Sequence, residues 1–252
     1  HPGQEQKATW LQIRRLKPDF VFMSGWGVMN SVAIKEAAAI NFPMDRFIGN
    51  WWSGTDADVI PAGKGSIGYK STTFHSAGTG FKLHDDIVKY VYGGDKAKAL
   101  SNNMGEVLYN RGMVNAMFGV EAIRTAMGKY GDKSMTGEQV RWGLENLNVD
   151  KARLKALGME GFTRGVKISC ADHESGGSLR IQQWDGAKWN FVSDWLSPMR
   201  DIVRPMIEKD AAEVLLGLEL GDGPVTASAG YAGHIGSEWQ DHSGQITVQI
   251  AF

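Results

Sequence analysis

Residues Asp19 to Asp56 read DFVFMSGWGVMNSVAIKEAAAINFPMDRFIGNWWSGTD, and this stretch decides the fold. Phe20 to Met23 form a short apolar run bounded by Pro18 and by Gly25 and Gly27, which predicts a strand. Ser31 to Ile40 are Ala-rich with Lys35 and Glu36, a composition that favours helix. Phe47 and Ile48 begin a second strand that runs into Asn50-Trp51-Trp52-Ser53-Gly54. In a parallel α/β sheet, the loops leaving the carboxyl ends of strands line the ligand crevice. Both loops here place Trp beside Gly and Ser, and large rings in pliable loops are costly unless something covers them.

Upstream, Gln4 to Leu16 is a helix ended by Lys17-Pro18; downstream, Ser66 to Thr73 reads as a third strand. Helix and strand thus alternate over residues 4–74, which implies parallel βαβ units. Ser76 to Gly80 (SAGTG) reads as a crossover or linker. Residues 82–158 are mostly helical. Leu83 to Tyr92 end at Gly93-Gly94, and a long helix spans Met104 to Met127, with Met113, Met117, Val120, Ile123 and Met127 as its expected core stripe. Thr136 to Asn146 begin with a capping box of Thr136 and Gln139, and residues 151–157 add a short helix. Val166 to Ser169 and Leu179 to Trp184 alternate with period two, and Asp185-Gly186 turns into Lys188 to Val192. Trp184, Trp189 and Trp195 are expected to pack on this hairpin. Arg200 to Glu213 is a further helix containing Pro205. Leu215 to Phe252 is Gly- and Ser-rich, with one alternating run, Gln245 to Ile250, and belongs poorly with what precedes it.

The 252 residues carry 27 Lys and Arg against 28 Asp and Glu, so no basic excess supports a nucleic-acid partner. No window approaches the roughly 18 apolar residues of a membrane span, so direct membrane insertion is not expected. Cys170 is the single cysteine, which excludes an intramolecular disulfide and a multi-Cys zinc framework. The chain begins HPGQEQKATW, without Met and without the pattern of a secretory signal, so it is expected to be processed or truncated.

Gly25-Trp26-Gly27-Val28-Met29-Asn30 follows a strand and opens a helix, as a dinucleotide loop does. It fails where Asn30 replaces the third glycine, and Trp26 would crowd a pyrophosphate. His173-Glu174-Ser175-Gly176-Gly177 lacks the Gly that a nucleophile elbow needs two residues before its Ser. Asp172 and His173 adjoin Cys170 without completing a metal set, and His75, His84, His234 and His242 form no spaced ligand pair. No acid, base and nucleophile assemble, and no cofactor is implied.

Four runs, LKPDFVFMSGWGVMNSVAIKEAAAINFPMDRFIGNWWSGTD, YKSTTFH, NRGMVNAMFGVEAIRTAMGKYGDKSMTGEQVRWGLENL and ISCADHESGGSLRIQQWDGAKWNFVSDW, occur in an order that resembles type I periplasmic binding proteins. The similar branch is the substrate-binding component of ABC transporters for branched-chain amino acids and aromatic compounds. The resemblance covers residues 1–210. It implies an α/β fold with parallel sheets flanked by helices in two lobes, here incomplete. Residues 1–75 would form part of the second lobe, 76–162 the helical part of the first, and 163–212 would return to the second. The tail, 213–252, is atypical and its structure is not implied. A small-molecule ligand would be held between the lobes by Ser24, Gly25, Trp26, Asn50, Trp51 and Trp52, with Tyr109 and Arg111 contributed by the other lobe. Where amino-acid binders carry an acid for the ammonium, this sequence has Trp51. That departure favours a flat apolar or aromatic ligand, or a quaternary ammonium stacked on indole. The resemblance further implies periplasmic residence, ABC permease subunits as partners, and no enzymatic activity. An α/β hydrolytic enzyme using Asp172, His173 and Ser175, or the sensory domain of a receptor, are the alternatives.

Overall fold

The computed structural model describes residues 3–210, 212–220, 225–235 and 240–250, with side chains described through residue 206. Two compact units divide the chain, residues 1–197 and 198–252.

In the first unit the elements run α1 (Lys7–Leu16), β1 (Val21–Met23), α2 (Val28–Ala39), β2 (Phe47–Gly49), α3 (Asp56–Val59), β3 (Lys70–Thr73), α4 (Lys82–Tyr90), α5 (Lys96–Ser101), α6 (Val107–Tyr130), α7 (Gly137–Glu145), β4 (Asn148–Val149), α8 (Lys151–Ala156), β5 (Val166–Lys167), β6 (Arg180–Trp184) and β7 (Trp189–Phe191). Among the described residues, β1, β2 and β3 pair in parallel, then β6 and β7 add antiparallel, giving the order β1-β2-β3-β6-β7. A mainly parallel sheet flanked by helices, as expected, therefore positions the loops after β1 and β2 side by side.

Local chemistry accounts for most element ends. Lys17, which precedes Pro18, cannot stay in the right-handed helical region and closes α1 at φ 50. Thr136 and Gln139 form the capping box of α7, their mutual bonds measuring 3.0 and 3.3 Å. Asp185 accepts the Ala187 and Lys188 amides at 2.8 and 2.9 Å and the Asn190 amide group at 2.7 Å, which fixes the β6–β7 turn. Trp184 and Trp189 face each other across that hairpin with ring centroids 5.5 Å apart.

Two separate cores form. Trp10, Ile34, Phe47, Tyr69, Trp184 and Trp189 centre the first, against the five-stranded sheet. Val114, Met117, Leu147, Leu154, Met159 and Phe162 centre the second, among α6, α8 and the short β4–β5 pair. Glu121, buried on α6, accepts both Arg153 Nε and Nη2 at 2.7 and 2.6 Å, and this bidentate bond holds its carboxyl below the usual range while tying α8 to α6.

Three expectations need correction. The third strand is only Lys70–Thr73; residues Ile60–Ser66 wind as a tight helical segment, because Pro61 at its start suits a helical turn and removes a strand donor. The buried face of α6 runs through Val107, Arg111, Val114, Met117, Glu121 and Ala122, so of the expected stripe Met117 is core and Met113 packs on it, while the remainder departs. Val120 and Ile123 are exposed, since at 100° per residue Ile123 points opposite Val114. Finally, the helix expected over Arg200 to Glu213 stops at Asp210 as α9 (Arg200–Asp210), and Glu213 lies in a strand.

That strand, β8 (Ala212–Leu220), pairs antiparallel with β9 (Val225–Ile235), which pairs antiparallel with β10 (Gln240–Ile250). The tail of the second unit is thus a three-stranded sheet that contains the alternating run seen at Gln245 to Ile250. The side chains of His234 and His242 lie outside the described residues.

Gly143 is the point where α7 meets α6, for a Cβ there would strike the Ala122 carbonyl. Gly143→Val is expected to lower stability by about 1–3 kcal/mol through overpacking, read as a drop in thermal midpoint.

Candidate functional site

The loop after β1 and the loop after β2 are joined by buried polar side chains. Asn30, in the first turn of α2, donates to the Trp52 carbonyl at 2.8 Å and to Asp58 Oδ1 at 3.1 Å. Both partners are acceptors, which fixes the orientation of its amide. Ser53 has one hydroxyl proton and three acceptors in reach; the Gly25 carbonyl, at 2.8 Å, is nearer than Asn50 Oδ1 at 3.0 Å or Asn30 Oδ1 at 3.2 Å. Asn50 donates to Ser24 Oγ at 3.0 Å and accepts the Trp52 amide at 3.0 Å. Tyr69, fully buried on the strand side, donates its hydroxyl to the Ser53 carbonyl at 2.8 Å. Gly54 is required by close approach, because a Cβ there would collide with Ser71; Gln182 donates to the Gly54 carbonyl at 2.9 Å from the neighbouring antiparallel strand.

With the loops so fixed, the indoles of Trp26 and Trp52 stand 67% and 51% exposed. They wall a cavity of about 710 Å³ that also takes in Val28, Thr55, Asp58 and, from α6, Leu108. Of the expected ligand contacts, Trp26 and Trp52 line this cavity; Ser24, Gly25 and Asn50 are not among its lining residues and are engaged in hydrogen bonds between the two loops, and Arg111 lies on α6 beside the Trp52 ring. Trp51 contributes its carbonyl, which accepts Arg111 Nη2 at 2.6 Å. Tyr109 does not line this cavity; burial, and then the pairing of its phenol with Tyr92, raises its pKa.

Arg111 is the buried cation of the site, 7% exposed. Its guanidinium carbon lies 5.6 Å from the centroids of both Trp52 and Phe74, within cation–π range. Nε and Nη1 are buried without a hydrogen-bond partner. Burial lowers its pKa, and nearby Asp58 opposes that. Asp58 is the complement. Burial raises its pKa, while the Thr55 amide and hydroxyl, at 2.9 and 2.8 Å on Oδ2, together with Asn30 and Arg111, pull it back.

Asp58, Asn30 and His75 were not anticipated. Thr55-x-x-Asp58 is a capping pattern that could have placed Asp58. Asn30 was visible only as a glycine that was absent, and His75 carried no signal beyond its position after a strand. His75 Nδ1 faces the Ser76 carbonyl at 3.1 Å and so carries the proton, leaving Nε2 as a buried acceptor without a partner. Elsewhere, Ser175 Oγ accepts the Lys167 amide at 2.5 Å and His173 Nε2 lies 3.8 Å from Glu145, so the residues of the hydrolytic alternative are engaged with different elements. No group of three metal-ligating side chains occurs among the described residues, and none of their helices is long and apolar enough to cross a membrane.

Residues 1–188 match the family described as periplasmic binding protein, and the chain belongs to that family. A protein of the Pseudomonas fluorescens group, whose crystal structure is described as an ABC transporter permease, is 48% identical, with TM-score 0.74 over 82% of this chain and 50% of that one. A branched-chain amino acid ABC transporter protein from Thermus thermophilus with bound valine is 20% identical, with TM-score 0.61 over 79% and 52%. A solute-binding protein of R. palustris in complex with benzoate is 16% identical, with TM-score 0.54 over 79% and 49%. The last two share the fold. The chain spans about half the length of these structures. No curated protein matches it.

His75 gives the site a pH dependence. Burial, aided by the Arg111 charge and opposed by the Ser76 carbonyl, lowers its pKa from 6.5 to about 4. The unfolded chain therefore takes up a proton below about pH 6.5 that the folded chain refuses until about pH 4. The stability this group contributes is complete above that window and falls by roughly 3 kcal/mol across it as pH drops. Thermal midpoints measured from pH 7 to 4 should decline, and His75→Phe should flatten the decline. Asp58, with its raised pKa, acts in the opposite sense and persists in both proteins.

Proposed function

We propose that this chain belongs to an extracytoplasmic solute-binding protein of an ABC importer, periplasmic in location, that captures a small organic ligand and presents it to the importer's membrane permease subunits. The ligand is aromatic or branched-chain amino-acid-like and is held by Ser24, Gly25, Trp26, Asn50, Trp51, Trp52 and Arg111, by burial and hydrogen bonding rather than by chemistry. The observation that carries this reading is the pair of exposed indoles, Trp26 and Trp52, fixed at the carboxyl ends of adjacent parallel strands around one cavity. Exposed aromatic faces kept in place by a buried polar network are what a stacking ligand needs.

The two cores support a two-lobe arrangement, with residues 1–75 and 163–212 in one lobe and 76–162 in the other. The first core draws on Trp10 to Tyr69, on Trp184 and Trp189 and on Val107 at the start of α6, the second on Val114 to Phe162. Bonds between these two sets of residues include the Val107 amide to Asp56 at 3.0 Å, Arg111 to the Trp51 carbonyl, and the β4–β5 pairing. That valine and benzoate occupy the Thermus and R. palustris proteins fits a ligand of this size.

Titration of the chain with aromatic acids, amino acids, amides and betaines, read by tryptophan fluorescence, tests the assignment. Trp26→Ala or Trp52→Ala should abolish the ligand-induced change. Unchanged affinity in both variants would sink the site.

A further inference from the structure

The chain leaves the five-stranded sheet at the end of β3 and turns back toward it after Phe162, and these two passes are sewn together. His75 and Thr163 form an antiparallel bridge. The Ser76 amide donates to the Phe162 carbonyl at 2.8 Å, Thr163 Oγ1 to the Phe74 carbonyl at 2.8 Å, and Ser76 Oγ to the Gly161 carbonyl at 3.2 Å. His75 sits in the middle of this seam, fully buried. Thr73 Oγ1 donates to its carbonyl at 2.9 Å, and its ring centroid lies 5.1 Å from that of Phe74 and 6.1 Å from that of Phe162.

The surroundings suit only the neutral ring. Nδ1 donates to the Ser76 carbonyl at 3.1 Å, and Nε2 is buried without a partner. A proton on Nε2 would add a buried donor with no acceptor and a charge with no counter-ion. The charged group that acts on the ring is Arg111 of α6, which has the same sign, and no carboxylate among the described residues does so. From α4, His84 packs on the same Phe162 ring at 5.8 Å and is tied through Nε2 to Asn110 Oδ1 at 3.1 Å. The returning pass presents Phe162 and Thr163, and β3 presents Thr73, none of which ionises. The imidazole can therefore be charged only by leaving its place, and its exit takes the bridge to Thr163 with it.

We propose that His75 is an acid-sensitive latch: its neutral ring holds the two passes together, and protonation frees residues 75–77 from Phe162 and Thr163 while both cores stay folded. The latch is a property of the crossover and does not depend on what the cavity binds.

Hydrogen exchange of the full chain at pH 7, 6 and 5, in low concentrations of urea, tests this. A local opening exposes little surface, so the Ser76 amide should exchange with little response to urea. The helical amides of Ile34 and Val114 should instead follow the urea dependence of global unfolding. The His75 pKa moves from about 4 in the closed seam to 6.5 in the open one, so the open form gains stability as pH falls through that window. The opening constant read at Ser76 should accordingly rise about 20-fold from pH 7 to pH 5. His75→Gln, which keeps a donor for the Ser76 carbonyl but does not titrate, should remove the rise, and His84→Gln should leave it. A flat response to pH, exchange of Ser76 only together with Ile34 and Val114 along the global urea dependence, or a rise that survives His75→Gln overturns the latch. If a variant fails to fold, the urea and pH responses of the unmutated chain decide alone.

Discussion

The site depends on one amide group. Asn30 lies fully buried in the first turn of α2 and bonds at once to the backbone of the second loop and to the carboxylate of α3. The start of α2 thus meets, at this side chain, two points more than twenty residues further along the chain. An unpaired buried amide costs a few kcal/mol, so each of its partners is held where it is by the penalty of leaving. Ser53 repeats the device one layer along, taking the Gly25 carbonyl from the first loop while Tyr69 fixes its own carbonyl from below. Polar groups thus do the aligning, and the apolar rings are left free to face outward.

The division of labour extends to the whole first unit. Each core is apolar, Val107 of α6 packs into the first, and hydrogen bonds through Asp56 and Arg111 join α6 to the segment that follows β2. Asn110 reinforces the crossover, donating to the Ser76 and Gly78 carbonyls at 3.0 and 2.9 Å while accepting His84 Nε2 at 3.1 Å. Residues 76–80, whose composition suggested a pliable connection, are thereby bonded at several points. Small residues served close packing there as much as freedom.

What could be read in the sequence was what is local. The βαβ alternation over 4–74, the capping box at Thr136, the turn at Asp185-Gly186 and the pairing of Trp184 with Trp189 all rest on interactions within a few residues, and the structure contains them. The parts that escaped are set by distant partners. Which face of α6 is buried depends on α7 and α8, so the spacing found Met113 and Met117 but wrongly added Val120 and Ile123. Asp58 and Asn30 acquire their roles only when two loops 28 residues apart are brought together. The strand β9, VTASAGYAGHI, is poor in strand-favouring side chains and owes its form to ladders on both sides, so its sequence looked structureless.

The loop after β2 is fastened to α6 twice, by the Asp56 carboxylate on the Val107 amide and by Arg111 on the Trp51 carbonyl. These anchors sit one turn apart on the same helix and bracket Trp52. The loop is therefore shared: α6 holds it at Trp51 and Asp56, while the loop after β1 holds it at Asn50, Trp52 and Ser53. A displacement of α6 would be resisted at Trp52 by the Asn30 amide, so the spacing of the two indoles is tied to helix and sheet at once.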